Sequence, residues 1–390
     1  MTAAPKVETL AARTRAGTAA SYVLAWRADA RSEWFFRPSG TWSPACSTRP
    51  SAARRHYPPP FRAFEVRETQ DGKGMGCFAL GPYTRGDRVV DEAPLLERSL
   101  DAIDDEVRAR RPVECMEAVV NSLLSPSQRA EYDDLSMSIT HGAQKTSYGI
   151  WLSNAYPTDE EPEECGAIFR VISRFNHSCQ PNCHVSWNSR TRRMTVHCLT
   201  PIRPGEEITV SYGFIGSGDA RATRQRVLFR DFGFVCGCTL CRLTGDELSQ
   251  SDERQARIRA LADQIVEGPP NLIALVEERL ALLDQEGLYT NWDTYAVAMS
   301  FLKLCRDESG AQVWAARAAE CARCALGDDS EEFLRYSTAT ARGSSAGAPG
   351  TADEAACMSD EMQETSNDAN ADEFLLSMAT FGMKSSTATT

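Results

Sequence analysis

Three cysteines stand within six residues of one another just past the middle of this 390-residue chain, at Cys236, Cys238 and Cys241. A turn can bring three such thiols onto one ion, and tetrahedral zinc then needs a fourth thiolate or imidazole. The upstream segment 176–183 offers one histidine and two cysteines for that position. The alternative is a set of buried free thiols, which behave as small hydrophobic side chains. The close spacing favours a structural zinc site with four protein ligands and no open position for water.

Three further segments have side chains or backbone suited to a small ligand. Asn176 and His177 stand side by side before Pro181, in a polar loop that can hydrogen-bond a small polar molecule. The segment 205–213 predicts a strand that ends near a tyrosine, which places a phenol at a strand end. The glycine-rich segment 72–79 lets the backbone approach a ligand closely, but no helix with a later acidic partner follows, so it is not a dinucleotide fingerprint. Each segment alone is typical of an ordinary turn or strand.

In this order, the four motifs resemble those of the SET-domain lysine methyltransferases. The resemblance covers about residues 61–242. The matching segments are the glycine motif at 72–79, the asparagine–histidine motif at 176–182, the glutamate-to-tyrosine strand at 206–212 and the cysteine-rich segment at 234–241. Within the family, the chain is similar to the SET-and-MYND group and to fungal SET proteins with a helical C-terminal region. The insert between the glycine motif and Asn176 holds only Cys115 and Cys165, too few for a MYND zinc module, so partner binding through that module is not expected.

The resemblance implies S-adenosylmethionine as the methyl donor, Zn2+ as a structural metal, and a protein or peptide that presents a lysine as the substrate. It assigns catalysis to Tyr212, through positioning and electrostatic roles, because an ordinary tyrosine pKa of about 10 makes a poor general base. The implied cofactor-binding residues are Lys73, Met75, Gly76, Asn154, Asn176, His177 and Phe234. The implied zinc ligands are Cys179, Cys236, Cys238 and Cys241, which leaves Cys183 to the core.

The cofactor contacts that the resemblance implies differ in kind. The glycine motif would act largely through its backbone, whereas Asn176 and His177 would hold the amino-acid and adenine ends of the cofactor. Asn154 is expected on the strand before the asparagine–histidine motif. Phe234 would pack on the adenine and help to wall the lysine channel.

Other functions fit part of these motifs. A catalytically inactive SET and zinc scaffold would bind protein partners, but the joint presence of Tyr212, Asn176 and His177 argues against it. Partner binding by the C-terminal helices and methylation of a small molecule are further alternatives. Another cysteine pair, Cys321 and Cys324, lies in a helical stretch without companion ligands, which favours a buried helix face over a metal site.

Short strands and a helical insert must position these motifs. Alternation and turn residues predict strands at 64–67, 88–90, 195–199 and 208–210. Helix is predicted from Asp101 to Tyr132, in pieces broken near Pro112 and Pro126. Its expected buried positions are Ile103, Val107, Met116, Val119, Val120, Leu123 and Leu124. From 251 to 336, apolar residues recur at spacings of three and four, which predicts further helices.

The predicted fold class is α+β. It comprises a β-rich SET fold of short strands with a helical insert and a zinc-binding post-SET segment, followed by an all-α C-terminal helical region. The predicted divisions are a disordered arm at 1–60, the SET domain at 61–235 with its insert at about 100–150, the post-SET zinc segment at 236–242, the helical C-terminal domain at 243–336 and a disordered acidic tail at 337–390.

Composition limits the partners that the chain is expected to bind. The formal net charge of −12 gives no overall drive towards nucleic acid, so no direct nucleic-acid binding is expected, and a lysine-rich peptide suits the chain better. No stretch approaches the roughly 18 uninterrupted apolar residues of a membrane helix, so no membrane partner is expected. Without an export signal in the first residues, the expected compartment is the nucleus, the cytoplasm or both.

Overall fold

The computed structural model describes residues 64–69, 73–158, 165–212 and 218–344. The arm predicted at 1–60 lies outside these residues, as does the part of the predicted tail beyond 344. The described residues form an α+β fold, as the sequence predicts. Short strands gather into small sheets, and helices form an insert and the C-terminal region.

The strands occur close to where alternation predicts them. In chain order they are β1 (Phe64–Glu68), β2 (Met75–Ala79), β3 (Arg88–Glu92), β4 (Leu96–Ser99), β5 (Tyr156–Pro157), β6 (Cys165–Ile168), β7 (Asn176–His177), β8 (Cys183–Asn188), β9 (Arg193–Cys198) and β10 (Glu207–Val210). Across the described residues they form three sheets, in the orders β1-β2-β10-β7, β3-β9-β8 and β4-β6-β5. The four predicted strands correspond to β1, β3, β9 and β10, with ends shifted by one or two residues.

The first sheet brings the glycine motif next to the asparagine–histidine motif. β10 lies between the two, because it pairs antiparallel with β2 and parallel with β7. Thr209 stands opposite Asn176, and Val210 stands opposite His177. The strand ends at Val210, so Tyr212 follows just past its end. Three segments that are distant in sequence therefore meet on neighbouring strands.

The helical insert consists of α1 (Leu100–Arg108), α2 (Pro112–Leu123), α3 (Pro126–Asp133) and α4 (Ser147–Asn154). Its breaks fall at Pro112 and Pro126, as predicted. Proline lacks a backbone N–H and fits the first turn of a helix, where that N–H would have no helical partner. Ser125 caps α3 through a capping box with Gln128, which fixes where this helix begins.

The predicted core of the insert is correct except at one position. The fully buried positions are Ile103, Met116 and Val120, and the partly buried ones are Val107, Val119 and Leu124. Leu123 is 60% exposed, so its predicted burial is wrong. The helix ends at Leu123 and the chain is extended at Leu124. The helical spacing therefore does not predict the direction of the Leu123 side chain at this end.

Besides α4, one further helix is absent from the helices predicted at 101–132 and 251–336. It is α5 (Arg221–Phe232), which directly precedes the cysteine-rich segment. It ends at Gly233, whose φ of 75° is the left-handed conformation in which many helices terminate. An ideal Cβ on Gly233 would lie 2.9 Å from Ile139 Cγ1 and 3.0 Å from Ser138 Oγ, so the helix end also packs closely on the insert.

The C-terminal region is helical. Its helices are α6 (Gly245–Val266), α7 (Leu272–Gln285), α8 (Trp292–Leu304), α9 (Glu308–Leu326) and α10 (Glu331–Ser344). α10 continues past the boundary predicted at 336, because the hydroxyls of Ser337, Thr338 and Thr340 donate to carbonyls three residues earlier and so remain satisfied within a helix. Cys321 and Cys324 are buried on α9, as predicted. No helix in the described part of the chain has the length and apolar character needed to cross a membrane.

The C-terminal helices pack directly on the strands. Leu199, which follows β9, is buried in the same apolar core as the residues of α6 to α9. Gln180, within the asparagine–histidine motif, donates from Nε2 to the carbonyl of Glu286 at 2.8 Å. Arg88 of β3 pairs with Asp329, in the loop between α9 and α10. The helical region therefore supports the loop that follows β7.

Candidate active site

The asparagine–histidine motif is held to β10 by side-chain hydrogen bonds as well as by strand pairing. Asn182 Nδ2 donates to the carbonyl of Glu207 at 2.8 Å, and the N–H of Thr209 donates to Asn182 Oδ1 at the same distance. The side-chain amide of Asn182 thus bonds to the backbone of β10 through one donor and one acceptor, as the backbone of a neighbouring strand would. This contact fixes the motif relative to the strand that leads to Tyr212.

His177 connects the cysteine cluster to Tyr212. Its ring is buried, and its Nδ1 accepts from the N–H of Tyr212 at 2.9 Å. The ring proton therefore belongs on Nε2, which lies 3.3 Å from Cys179 Sγ and can donate to it. Both ring nitrogens are engaged inside the protein, so the predicted contact of His177 with an adenine would have to come from its backbone.

Tyr212 lies in a group of aromatic rings. Its ring centroid is 4.9 Å from that of Phe232, 6.3 Å from that of Phe234 and 5.4 Å from that of His177. Its hydroxyl donates to the carbonyl of Phe175 at 2.8 Å. The structure thus brings together the predicted residues Tyr212, His177 and Phe234. It adds Phe232, which ends the helix that the sequence did not predict.

The glycine motif approaches Asn176 closely. An ideal Cβ on Gly76 would lie 2.8 Å from Asn176 Nδ2 and 2.7 Å from Glu207 Oε1. Such distances are too short for any side chain, so only glycine fits at this position on β2. The Nζ of Lys73 lies 3.6 Å from Glu207 Oε2. Lys73, Gly76 and Asn176 therefore border one polar site. Glu207, for which the sequence predicted no role, lies within it.

Asn154 differs from its prediction. It is the last residue of α4 and not part of a strand, so the strand prediction is wrong. Thr146 caps this helix by accepting the N–H of Gly149, and the mostly buried residues that follow continue it to Asn154. Asn154 is buried, and its Nδ2 donates to the carbonyls of Ser136 and Ile150, each at 2.7 Å. Its role in cofactor binding stays a prediction.

The four predicted zinc ligands lie together. The Sγ atoms of Cys179, Cys236, Cys238 and Cys241 all lie within 4.8 Å of one another. Cys179 Sγ is 3.9 Å from Cys236 Sγ and 3.5 Å from Cys241 Sγ. Tetrahedral zinc with sulfur at about 2.3 Å sets its sulfurs about 3.8 Å apart. The four thiols are therefore compatible with a Zn2+ ion, in which Cys179 would be the remote ligand that ties the cysteine-rich segment to β7.

The four thiols of the cluster differ in their tendency to ionise. Hydrogen bonds with the neighbouring thiols, that of Cys236 first, raise the pKa of Cys179, and the pKa of Cys241 is raised as well. Hydrogen bonds from the neighbouring thiols, that of Cys179 first, lower the pKa of Cys236, and those from Cys179 lower the pKa of Cys238 to about 5. Cys183 takes no part in the cluster. It is buried in the sheet core, where its Sγ lies 3.7 Å from Cys198 Sγ, as expected for a core residue.

Arg224 of α5 is buried beside the cysteine cluster. Its guanidinium lies 4.0 Å from Cys241 Sγ, and its side chain is almost wholly inaccessible to solvent. Burial disfavours its charge, but the nearby Cys179 and Cys241 hold its pKa above the ordinary value. Its Nε has no hydrogen-bond partner among the described residues. This arginine was not singled out from the sequence, because a lone arginine on a helix carries no signal there.

Comparison with known proteins identifies the domain. The SET domain family matches residues 74–213, which run from the glycine motif to just past Tyr212. "Histone-lysine N-methyltransferase set5" of Schizosaccharomyces pombe is 28% identical over 273 residues, which are 68% of this chain and 80% of that protein. Residues 74–213 therefore match a SET domain, and the names of these similar proteins describe lysine methylation.

Two further relatives are similar over shorter regions. "Histone-lysine N-methyltransferase SET5" of Scheffersomyces stipitis is 38% identical over 76 residues, 19% of this chain and 16% of that protein. "Protein-lysine N-trimethyltransferase SMYD5" of Homo sapiens is 34% identical over 91 residues, 23% of this chain and 22% of that protein. The matched regions thus span less than a quarter of these two proteins. The chain is similar to SET5 proteins of fungi and to SMYD5.

Proposed function

We propose that this chain transfers a methyl group from S-adenosylmethionine to the side-chain amine of a lysine in a protein. The observation that carries the proposal is the aromatic group of Tyr212, Phe232 and Phe234, which lies beside the asparagine–histidine motif. S-adenosylmethionine, when bound, supplies a methyl group on a positively charged sulfur. The lysine nitrogen bonds to the methyl carbon as the carbon–sulfur bond breaks, and the sulfur leaves as a neutral thioether, so the site needs no acid.

The aromatic rings would keep the lysine amine neutral. An apolar channel disfavours the ammonium form, and a nearby positive sulfur lowers the lysine pKa further. The hydroxyl proton of Tyr212 is already donated to the carbonyl of Phe175. The phenolic oxygen therefore faces an incoming amine as an acceptor, and an N–H bonded to it turns the nitrogen lone pair towards the methyl group.

Alignment supplies much of the expected rate acceleration. Holding nitrogen, carbon and sulfur in line can contribute on the order of 7–11 kcal/mol. The residues that would hold this geometry stand on connected elements, because β10 and β7 are paired and His177 accepts from the N–H of Tyr212. A shift of either strand would move the tyrosine relative to the cofactor site.

We propose a structural role for zinc. Cys179, Cys236, Cys238 and Cys241 would hold the ion, and four thiolates leave no coordination position for water or substrate. The ion would tie Phe234 and its neighbours to β7. It would thereby keep the aromatic group closed around Tyr212.

The substrate class and compartment follow from the relatives. Their names describe lysine methylation of histones and of proteins in general. We infer a protein substrate that presents a lysine, histone or non-histone, in the nucleus or the cytoplasm. The scaffold alternative has no separate observation in its favour, since Tyr212, Asn176 and His177 are all present and adjacent.

Binding of S-adenosylmethionine to the full-length, zinc-loaded chain tests the proposal. Calorimetry should show binding by the parent and a strong loss in Asn176→Ala. Asn121→Ala is the matched control, since Asn121 is exposed on α2 and bonds there to Glu117 and Arg129. A folded parent without any binding would refute the proposal and favour the scaffold.

A further inference from the structure

Asn176 has an amide whose orientation the structure determines. Its Nδ2 donates to the carbonyl of Met75 at 3.0 Å and to Glu207 Oε1 at 2.8 Å. A carbonyl and a carboxylate can only accept, so the NH2 group of the amide must face them. Its Oδ1 consequently points away from both. Within the described ranges, no donor reaches this oxygen, and Asn176 is half-buried, so the oxygen remains available as an acceptor.

Glu207 is the residue that makes this orientation obligatory. If the carbonyl of Met75 were the sole acceptor, one Nδ2 hydrogen of Asn176 would have no protein partner. Water could then compete with this carbonyl for the amide. The carboxylate adds a charge-assisted hydrogen bond, which is stronger than a neutral one. Gly76 admits this contact, because any Cβ there would collide with Glu207 Oε1. Glu207 itself is held by the pairing of β10 with β2 and by Asn182, which bonds to its carbonyl.

The second carboxylate oxygen faces a cation. Glu207 Oε2 lies 3.6 Å from Lys73 Nζ, and both side chains are mostly shielded from solvent. The site therefore presents an outward amide acceptor at Asn176 and an ammonium at Lys73. A zwitterionic α-amino acid has the complementary groups, an ammonium for the acceptor and a carboxylate for the lysine.

We propose that Glu207 is a positioning residue that sets cofactor affinity by fixing the Asn176 amide for the amino-acid end of S-adenosylmethionine. This inference rests on the proposed function. Glu207 acts through Asn176 and takes no part in methyl transfer. Its removal should therefore weaken binding of the amino-acid end of the cofactor and leave binding of the adenosine end unchanged.

Two ligands separate these contributions in the full-length, zinc-loaded chain. S-adenosylmethionine carries the amino-acid end, whereas 5′-methylthioadenosine lacks it. In Glu207→Ala, the Kd for S-adenosylmethionine should rise by about tenfold or more, since a hydrogen bond to a charged group is lost. The Kd for 5′-methylthioadenosine should stay at the parent value. Glu207→Gln keeps an acceptor oxygen for Asn176 and should show a smaller rise.

The matched control is the neighbouring glutamate. Glu206 is exposed and accepts from the N–H of Arg203 in the turn before β10, so Glu206→Ala should bind both ligands as the parent does. An equal rise in the Kd for both ligands in Glu207→Ala, or no change in either Kd, would overturn the inference. If Glu207→Ala does not fold, Glu207→Gln serves as the test. Its Kd should rise for S-adenosylmethionine but not for 5′-methylthioadenosine, and an equal change in both values would overturn the inference. A parent that binds neither ligand would refute the proposed function itself, a result distinct from a parent that binds both.

Discussion

Arg224 brings a positive charge into the interior beside four cysteines. A buried charge is costly unless it is paired, and the ion pairs of the described residues do not include this guanidinium. Zinc with four thiolates carries a net charge of about −2, which is equally costly to bury alone. With the ion bound, the two charges would offset each other, since the guanidinium lies 4.0 Å from Cys241 Sγ. The arginine should thus help the cluster to retain its metal.

Replacing Arg224 should weaken zinc retention. We expect Arg224→Gln to release zinc to a chromophoric chelator at least about tenfold faster than the parent, because a charged interaction of about 1.4 kcal/mol or more is lost. Arg226→Gln is the control, since Arg226 lies on the same helix but is exposed. Equal release rates in the parent and in a folded Arg224→Gln would show that the arginine does not act on the metal.

The sequence predicted the residues with a recognisable spacing and missed those defined by tertiary contacts. Spacing predicted Cys236, Cys238 and Cys241, the family resemblance added Cys179, and the four sulfurs lie together. Glu207, Phe232 and Arg224 were not assigned a role. Glu207 matters because β10 lies between β2 and β7, and this pairing joins residues about thirty or more positions apart. No local pattern of glutamate, phenylalanine or arginine reports such a neighbour.

At the scale of elements, the end of α5 connects the insert to the aromatic group. Gly233 separates Phe232 from Phe234, and its positive φ reverses the chain between the two rings. The carbonyl of Phe232 accepts from Ser138 Oγ at 2.8 Å, which ties the helix end to the turn around Ile139. The insert therefore holds two walls of the proposed lysine channel in place.

A side chain at Gly233 should disturb this connection. Any L-residue in the left-handed conformation costs roughly 1–2 kcal/mol, and crowding against Ile139 and Ser138 should add roughly 1–3 kcal/mol in Gly233→Ala. Gly245→Ala is the matched control, since Gly245 also has a positive φ but no atom within 4 Å of an added Cβ. Urea unfolding should show Gly233→Ala to be less stable than Gly245→Ala. Equal losses in the two variants would contradict the close packing.

The elements also show why α5 escaped prediction. Its sequence carries charged residues on most of its turns, and only Arg224, Leu228 and Asp231 are buried. Such a helix has no apolar stripe, so periodicity does not reveal it. The remaining signal was Gly233 at its end, which is a weak cue without a periodic segment before it. The helices of the C-terminal region have regular apolar spacing, and the sequence predicted them.

At the scale of the whole molecule, a buried histidine lies between the strands and the C-terminal helices. His197 of β9 is buried, and its Nε2 accepts from Arg88 Nε at 3.0 Å. Burial, together with the charges of Arg88 and His184, lowers the pKa of His197 from 6.5 to about 3. Asp329 from the C-terminal region pairs with the same arginine. A proton on His197 would face the cation of Arg88 without a partner of its own.

The molecule should therefore lose stability in mild acid. The native state holds His197 neutral below pH 6.5 while the unfolded chain takes up a proton there, so the free energy of unfolding falls as the pH drops. At pH 5 this residue alone should cost about 2 kcal/mol relative to pH 7. His197→Gln keeps an acceptor for Arg88 and should lose about 2 kcal/mol less between these two pH values in urea unfolding. Parallel losses in parent and variant would show that His197 does not determine the acid sensitivity.

Packing between the two regions could not be predicted from the sequence. Apolar spacing gave the helices and alternation gave the strands, but neither says which faces meet. The contact depends on Leu199 entering the helical core and on Gln180 reaching Glu286. Gln180 lies within the asparagine–histidine motif and Leu199 at the end of a predicted strand, and neither local pattern indicates the helix that the residue contacts. The contact gives the C-terminal helices a defined role, the support of the loop that follows β7.

Methyl transfer to lysine is the central claim, and mass spectrometry tests it most directly. The full-length, zinc-loaded chain is incubated with S-adenosylmethionine and either histone proteins or a library of lysine peptides. We expect the parent to add methyl groups to lysine, and Tyr212→Phe to do so at least about tenfold more slowly, because the amine loses its acceptor. Tyr289→Phe is the control, since Tyr289 lies in the C-terminal helical region, and it should methylate lysine as fast as the parent. A folded parent that binds S-adenosylmethionine but methylates no lysine in either set, or a Tyr212→Phe variant as fast as the parent, would contradict the account.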